Sequence, residues 1–191
     1  DTSPFLPFIY QNRWLRLMPP NGVTYNASTK TWNNSSPSQK YPLILFFHGL
    51  GEKGTDNNNQ LKHGGQIHRD AVNSGKFPGF LVYPQSTSPA EARNLIEKLI
   101  SILPIDYNRI YVHGLSNGGG DAWDFAINYP TLVAAAFPMS STKETAKTTN
   151  LLYTPLRQSQ GSLDTNPTPG WSQSIVDWYV ANGGHLEYFY L

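Results

Sequence analysis

The chain has 191 residues, enough for one domain spanning 1–191 with its own hydrophobic core. Its 14 basic and 13 acidic side chains leave a formal charge of +1, which encodes neither a nucleic-acid face nor a polybasic membrane anchor. Cysteine is absent, excluding disulfides, thiolate zinc sites and cysteine nucleophiles, and no apolar run approaches the roughly 20 residues of a membrane span.

Taken in chain order, residues 8–20, FIYQNRWLRLMPP, predict two short strands in a hairpin with Gln11-Asn12 near its turn. Residues 21–40 are dense in turn formers and read as a surface loop. The pattern then changes. YPLILFFHG (41–49) is a continuous apolar run ending in glycine, as expected of a parallel strand buried on both faces. FPGFLVYPQ (77–85), RIYVHG (109–114), VAAAFPMS (133–140), TPLRQSQG (154–161) and HLEYFYL (185–191) predict further strands. Helical patterns fall between them at 65–74, 89–103, 117–129 and 171–182. This alternation implies right-handed crossovers and an α/β fold: a mainly parallel sheet, helices on both faces, the N-terminal hairpin antiparallel at one edge.

The pentapeptide Gly114-Leu115-Ser116-Asn117-Gly118 joins a predicted strand to a predicted helix with almost no loop. So tight a turn strains its middle residue and leaves no room for bulk two positions to either side, which accounts for Gly114 and Gly118. It projects the Ser116 hydroxyl from the carboxyl edge of the sheet, where open α/β folds bind ligands. A phosphate-loop reading of GLSNGGG fails for want of the Lys-Ser/Thr pair, and the dinucleotide fingerprint is not matched. Ser116 is therefore the candidate nucleophile.

A serine hydroxyl needs a base for its proton and donors for the oxyanion it creates. The N–H of Asn117, at the helix start, is one candidate donor. The loop HGLGEKG (48–54) supplies another in Leu50, with Gly49 and Gly51 allowing close backbone approach, Glu52 within the motif, and His48 anchoring the loop. Asp164, after the strand 154–161, is the candidate acid that orients the base. The base itself is missing from its expected place after the last strand. His185 sits at that strand's start, on the order of 20 Å from the catalytic edge, while His63, His68 and His113 read as structural or surface residues.

The segments LILFFHGLGEKGTDNNNQLKHG (43–64), DYNRIYVHGLSNGGGDAWDFAINYP (106–130) and GSLDTNP (161–167) resemble the α/β-hydrolase fold. The likeness is to the serine esterases grouped as phospholipase/carboxylesterase and polyhydroxybutyrate-depolymerase-like. The resemblance covers most of residues 41–191. It implies Ser116 as nucleophile, Asp164 as triad acid, the N–H groups of Leu50 and Asn117 as oxyanion hole, and ester hydrolysis through an acyl-enzyme with no metal or cofactor. The implied substrates are small or polymer-linked carboxylic esters, including decorations on polysaccharide. The chain departs from the pattern at its C-terminal end: the histidine of such proteins follows the strand that here reads EYFYL, and the expectation is that it lies beyond Leu191. The connection 84–94 is also abbreviated against the family.

Two other readings stand beside this one. A non-catalytic module of the same fold could bind saccharide through Trp32, Trp123 and Trp171. A metal hydrolase would rest on His63, His68 and Asp70, whose spacing matches no standard ligand motif. The start at Asp1 without an initiator methionine, with few charges and many Asn, Ser, Thr, Trp and Tyr, points to a secreted or periplasmic protein.

Overall fold

The computed structural model describes residues 2–191. Strands β1 (Leu6–Tyr10) and β2 (Arg13–Met18) form the N-terminal hairpin, turning through Gln11 and Asn12, both with positive φ. Paired left-handed residues make the turn whose twist matches that of the strands it joins. Residues 21–40, expected to be loop, instead contain a second hairpin, β3 (Val23–Asn26) and β4 (Thr31–Asn34). Its cross-strand pair Tyr25 and Trp32 brings the rings to 4.8 Å, and Phe8 of β1 packs on both. Aromatic pairing of this kind stabilises a ribbon that its turn-rich sequence conceals.

From β5 (Tyr41–Phe47) onward, strand and helix alternate as the sequence predicts. α1 (Gly65–Asn73) leads to β6 (Phe80–Pro84), α2 (Pro89–Ile102) to β7 (Ile105–Leu115), and α3 (Asn117–Asn128) to β8 (Ala135–Met139). β9 (Leu156–Gln160), α4 (Pro169–Ala181) and β10 (Leu186–Tyr190) complete the chain. Every residue of β5 and β6 is buried. Alternate side chains explain why: Leu43, Leu45 and Phe47 enter the core beneath α2, α3 and α4, while Ile44 and Phe46 enter a smaller core beneath α1. A strand sandwiched between helices has no polar face to show in its sequence. Ser88 caps α2 reciprocally with Glu91, and Pro89 occupies its first turn.

The eight-stranded sheet has the order β1-β2-β6-β5-β7-β8-β9-β10, with β2 antiparallel to β6 and β6, β5, β7, β8, β9 and β10 mutually parallel. The chain leaves β5 for β6 on one side and then returns across it to β7 on the other, so a topological switch point lies between β5 and β7. Crevices form at such points, beyond the carboxyl ends of the strands. Register places Phe47 level with Gly114, Leu115 with Met139, and Met139 with Ser159. The loops after β5, β7, β8 and β9 therefore converge at one edge.

Candidate active site

Ser116 stands at the switch point with φ 55° and ψ −117°, a region that costs a residue bearing a Cβ on the order of 1–3 kcal/mol. Surrounding structure enforces it. The Ser116 N–H donates to Met139 O at 2.9 Å, and Gly120 N–H donates to Ser116 O at 3.2 Å. A Cβ on Gly114 would lie 2.0 Å from Gly118 O, and one on Gly118 would lie 2.2 Å from Phe47 O. Both glycines are thus required by contact with backbone that cannot give way.

The loop after β5 lies against this corner: a Cβ on Gly49 would stand 3.8 Å from Ser116 Cβ and 2.7 Å from a Glu52 carboxylate oxygen. Gly51, grouped with it in the sequence, faces open space. Leu50 opens a short 3-10 turn, Leu50–Glu52, and Asn117 opens α3. First-turn N–H groups have no helical carbonyl partner; Asn117 follows Ser116 in the chain and Leu50 follows Gly49, which packs against it. His48 Nε2 accepts the Ser86 N–H at 2.9 Å, which leaves Nδ1 to donate to Gly49 O at 2.7 Å. Both ring nitrogens are engaged, so His48 pins the loop and has no lone pair for Ser116. Buried Glu52 reaches His63 at 3.4 Å.

Asp164 lies in the turn after β9. Its Oδ2 accepts from Gln160 Nε2 at 2.7 Å and from the Gly161 N–H at 3.2 Å. Behind it runs a buried chain that sequence reasoning did not find. Gln160 also donates to Pro167 O and accepts from Ser172 Oγ, which in turn accepts from Gln158 Nε2; Gln158 donates again to Ser141 O. Gln158, Gln160 and Ser172 are fully buried. Their signal was present in RQSQ, a strand carrying amides where the central strands β5 and β6 carry aliphatics and aromatics.

No histidine hydrogen-bonds Ser116 Oγ among the described residues. His185 precedes β10, at the end of the sheet opposite the catalytic edge. His68 and His113 lie on the α1 side, where Tyr83, His68 and His113 form a hydrogen-bonded row. Burial depresses His68 to about 4 and His113 to about 3, the latter also by His68 and Arg157. Asp70 pairs with Arg69, away from His63 and His68. Among the described residues, no three His, Asp or Glu side chains gather as metal ligands. The tryptophans separate likewise: Trp123 is wholly buried beneath Ser141 and cannot stack on a ligand, Trp32 is half-buried in the N-terminal ribbon, and Trp171 is exposed at the start of α4.

One cleft adjoins the elbow and another lies near the start of α4. The first, of about 430 Å³, lies between the loop after β6 and the first turns of α3; Asn117, His48 and Asp121 line it. Burial, and then Asp124, hold the Asp121 carboxyl above the usual carboxylate range, opposed by Lys143 and Lys53. The other, of about 330 Å³, runs between Thr142–Glu144 and the Trp171 end of α4.

No family profile and no curated protein matches the chain. Solved structures do. A thermostable esterase superposes with TM-score 0.86 at 26% identity over 99% of this chain, which spans 55% of that protein's length. A mutant feruloyl esterase module from Clostridium thermocellum, complexed with sinapinate, gives 0.71 at 17%, covering 97% of this chain and 78% of that one. The S-formylglutathione hydrolase of Staphylococcus aureus gives 0.67 at 12%, covering 97% and 88%. The chain has the α/β-hydrolase fold, and these structural neighbours are esterases and hydrolases. No helix among the described residues is long and apolar enough to cross a membrane.

Proposed function

We propose that this chain carries the nucleophile, oxyanion hole and orienting acid of a serine-dependent carboxylic ester hydrolase. Ser116 attacks the ester carbonyl; the N–H groups of Leu50 and Asn117 receive the developing oxyanion; the alcohol leaves, and water hydrolyses the acyl-Ser116 ester. The observation that carries the reading is the strained backbone of Ser116, held by Gly114 and Gly118 at the switch point of the sheet. A serine that merely capped α3 would need no such strain, and Ser116 makes no side-chain cap.

The base in this proposal is a histidine outside residues 1–191. β10 runs parallel to β9, and Leu191 donates to Gln160 O at 2.9 Å and accepts the Ser162 N–H at 2.5 Å. A residue joined to Leu191 would enter beside Asp164, where Oδ1 is available to an imidazole N–H. Three exposed apolar side chains, Leu50 in the 3-10 turn after β5, Leu163 in the turn after β9 and Trp171 in the first turn of α4, stand at this edge, which supports small or polymer-linked esters as substrates.

Intact mass after exposure to a fluorophosphonate tests the reading. One adduct is expected, absent from Ser116→Ala; an adduct that persists in that variant would show that another residue is the nucleophile. A second reading, a non-catalytic module of the same fold, is favoured by the lack, among the described residues, of a histidine bonded to Ser116. It predicts no adduct at Ser116.

A further inference from the structure

The cleft that adjoins Ser116 has a lining unlike that of an acyl or lipid site, and we propose that it is a subsite for an uncharged, hydroxyl-rich moiety of the substrate, such as a sugar ring. The proposal deepens the esterase reading and takes from it only the identity of the reacting serine.

Position comes first. The cleft begins at His48 and Asn117, the anchor of the loop after β5 and the residue following the nucleophile. A group bound there is joined to an ester at Ser116 by a short reach.

Charge comes second. Arg13 and Lys53 are matched by Glu91 and Asp121, and Arg13 already forks onto Glu91 Oε1 at 2.7 and 2.8 Å. A lining of one sign would select an ion; a cancelled set of fixed donors and acceptors selects dipolar groups. A hydroxyl can donate to a carboxylate and accept from an ammonium, guanidinium or amide. Asp121 Oδ2 accepts only a long bond from Asn117, at 3.3 Å, so this half-buried carboxylate retains acceptor capacity toward the cleft. An alkyl chain in the same space would strip water from these groups without replacing its hydrogen bonds.

Rigidity comes third. Ser86 holds a left-handed φ of 52°, gives its N–H to His48, and clasps Gly54 with its hydroxyl, accepting from the N–H at 3.0 Å and donating to the carbonyl at 3.1 Å. Gln85 ties the same loop to Glu52 O and the Asn57 N–H. Walls fixed before the ligand arrives add no ordering cost to binding. A small adjoining cavity shares Arg13, Thr87 and Glu91 and is also lined by Tyr10 and Trp14.

The test is an amide-shift titration of 15N-labelled protein with three sugars of one size: methyl β-D-glucopyranoside, glucuronate and glucosamine. The neutral glycoside is expected to shift Gly54, Ser86 and Asn117 saturably below about 50 mM, with the two charged sugars weaker by about threefold or more. Asp121→Ala should weaken the neutral sugar about tenfold, the loss of one hydrogen bond to a charged group. Should that variant unfold, Lys53→Ala, at an exposed position, should weaken it about threefold; Asp177→Ala on α4 should change nothing. Absence of saturable shifts at those amides, preference for a charged sugar, or indifference to both cleft substitutions overturns the proposal. No turnover enters this measurement, so it stands or falls separately from fluorophosphonate labelling of Ser116.

Discussion

Replacing Gly118 by alanine tests whether the Ser116 corner is set by packing of backbone on backbone. The added methyl would lie 2.2 Å from Phe47 O and 2.4 Å from His48 O, both at the end of β5 where the loop of Leu50 begins. No side chain can turn aside to relieve this contact, so α3 must move from β5 by about 1 Å in an interior packed at crystal density. Overpacking of this severity is expected to cost about 3 kcal/mol. The same movement separates Asn117 from Leu50, and a 1 Å displacement of catalytic groups costs about 100-fold in rate. Urea denaturation gives the first number and the rate of fluorophosphonate labelling the second. Gly51→Ala is the control: its methyl meets no atom within 4 Å, and a change within about 0.5 kcal/mol is expected. Equal stability and equal labelling of the two variants would refute the argument.

Removing the amide in Gln160→Leu should cost about 2 kcal/mol, because Ser172 Oγ and Pro167 O lose buried partners, and should slow labelling as Asp164 loses its side-chain donor; unchanged labelling would separate Asp164 from the chemistry. His68 and His113 are held neutral by burial, at about 4 and about 3, below the ordinary value near 6.5. The unfolded chain therefore gains protons before the folded one, and stability should fall with acidity below about pH 6.5 by roughly 1.4 kcal/mol per pH unit for each histidine. Urea midpoints from pH 7 to 5 read this slope; a flat profile, or one unchanged in His113→Phe, would refute it. Glu187→Gln breaks the exposed Arg157–Glu187 pair at 2.6 Å and should shift stability by less than about 1 kcal/mol.

What was legible in the sequence follows from how local its cause is. YPLILFF and FLVYP announced buried strands because residues sandwiched between two helical layers must all be apolar. The corner at Ser116 was legible because a steric demand two residues away on either side can be met only by glycine. The β3–β4 ribbon was not, since its signal is the pairing of Tyr25 with Trp32 and Phe8, invisible until the register is known. Asp164 could be placed by its loop, but the amides that hold it could not. TPLRQSQG is legible as a strand, but nothing local in it pairs Gln158 and Gln160 with a partner; only the fold brings Ser172 from α4 between them.

That buried chain also explains how Asp164 and Ser116, which follow strands that are not neighbours, are kept in one geometry. β8 lies between them in the sheet, and its carboxyl end is bonded to both. Met139 O holds the Ser116 N–H, the Ser140 N–H donates to Ser159 O at 2.8 Å, and Ser141 O receives Gln158 Nε2 and Trp123 Nε1. Gly119 meets the same segment: a Cβ there would lie 2.6 Å from Ser141 Cβ. The amides cannot reverse without setting oxygen against oxygen. Gln160 Nε2 spends both hydrogens on Asp164 and Pro167, and Gln158 Nε2 spends both on Ser141 and Ser172. Gln158 Oε1 is buried without a partner, but the donors of both amides are satisfied in one orientation only, a directional restraint that an apolar filling of the same volume would lack. The buried amides thus supply the directional restraint that a loop aspartate lacks, and they do so through the strand that also anchors Ser116.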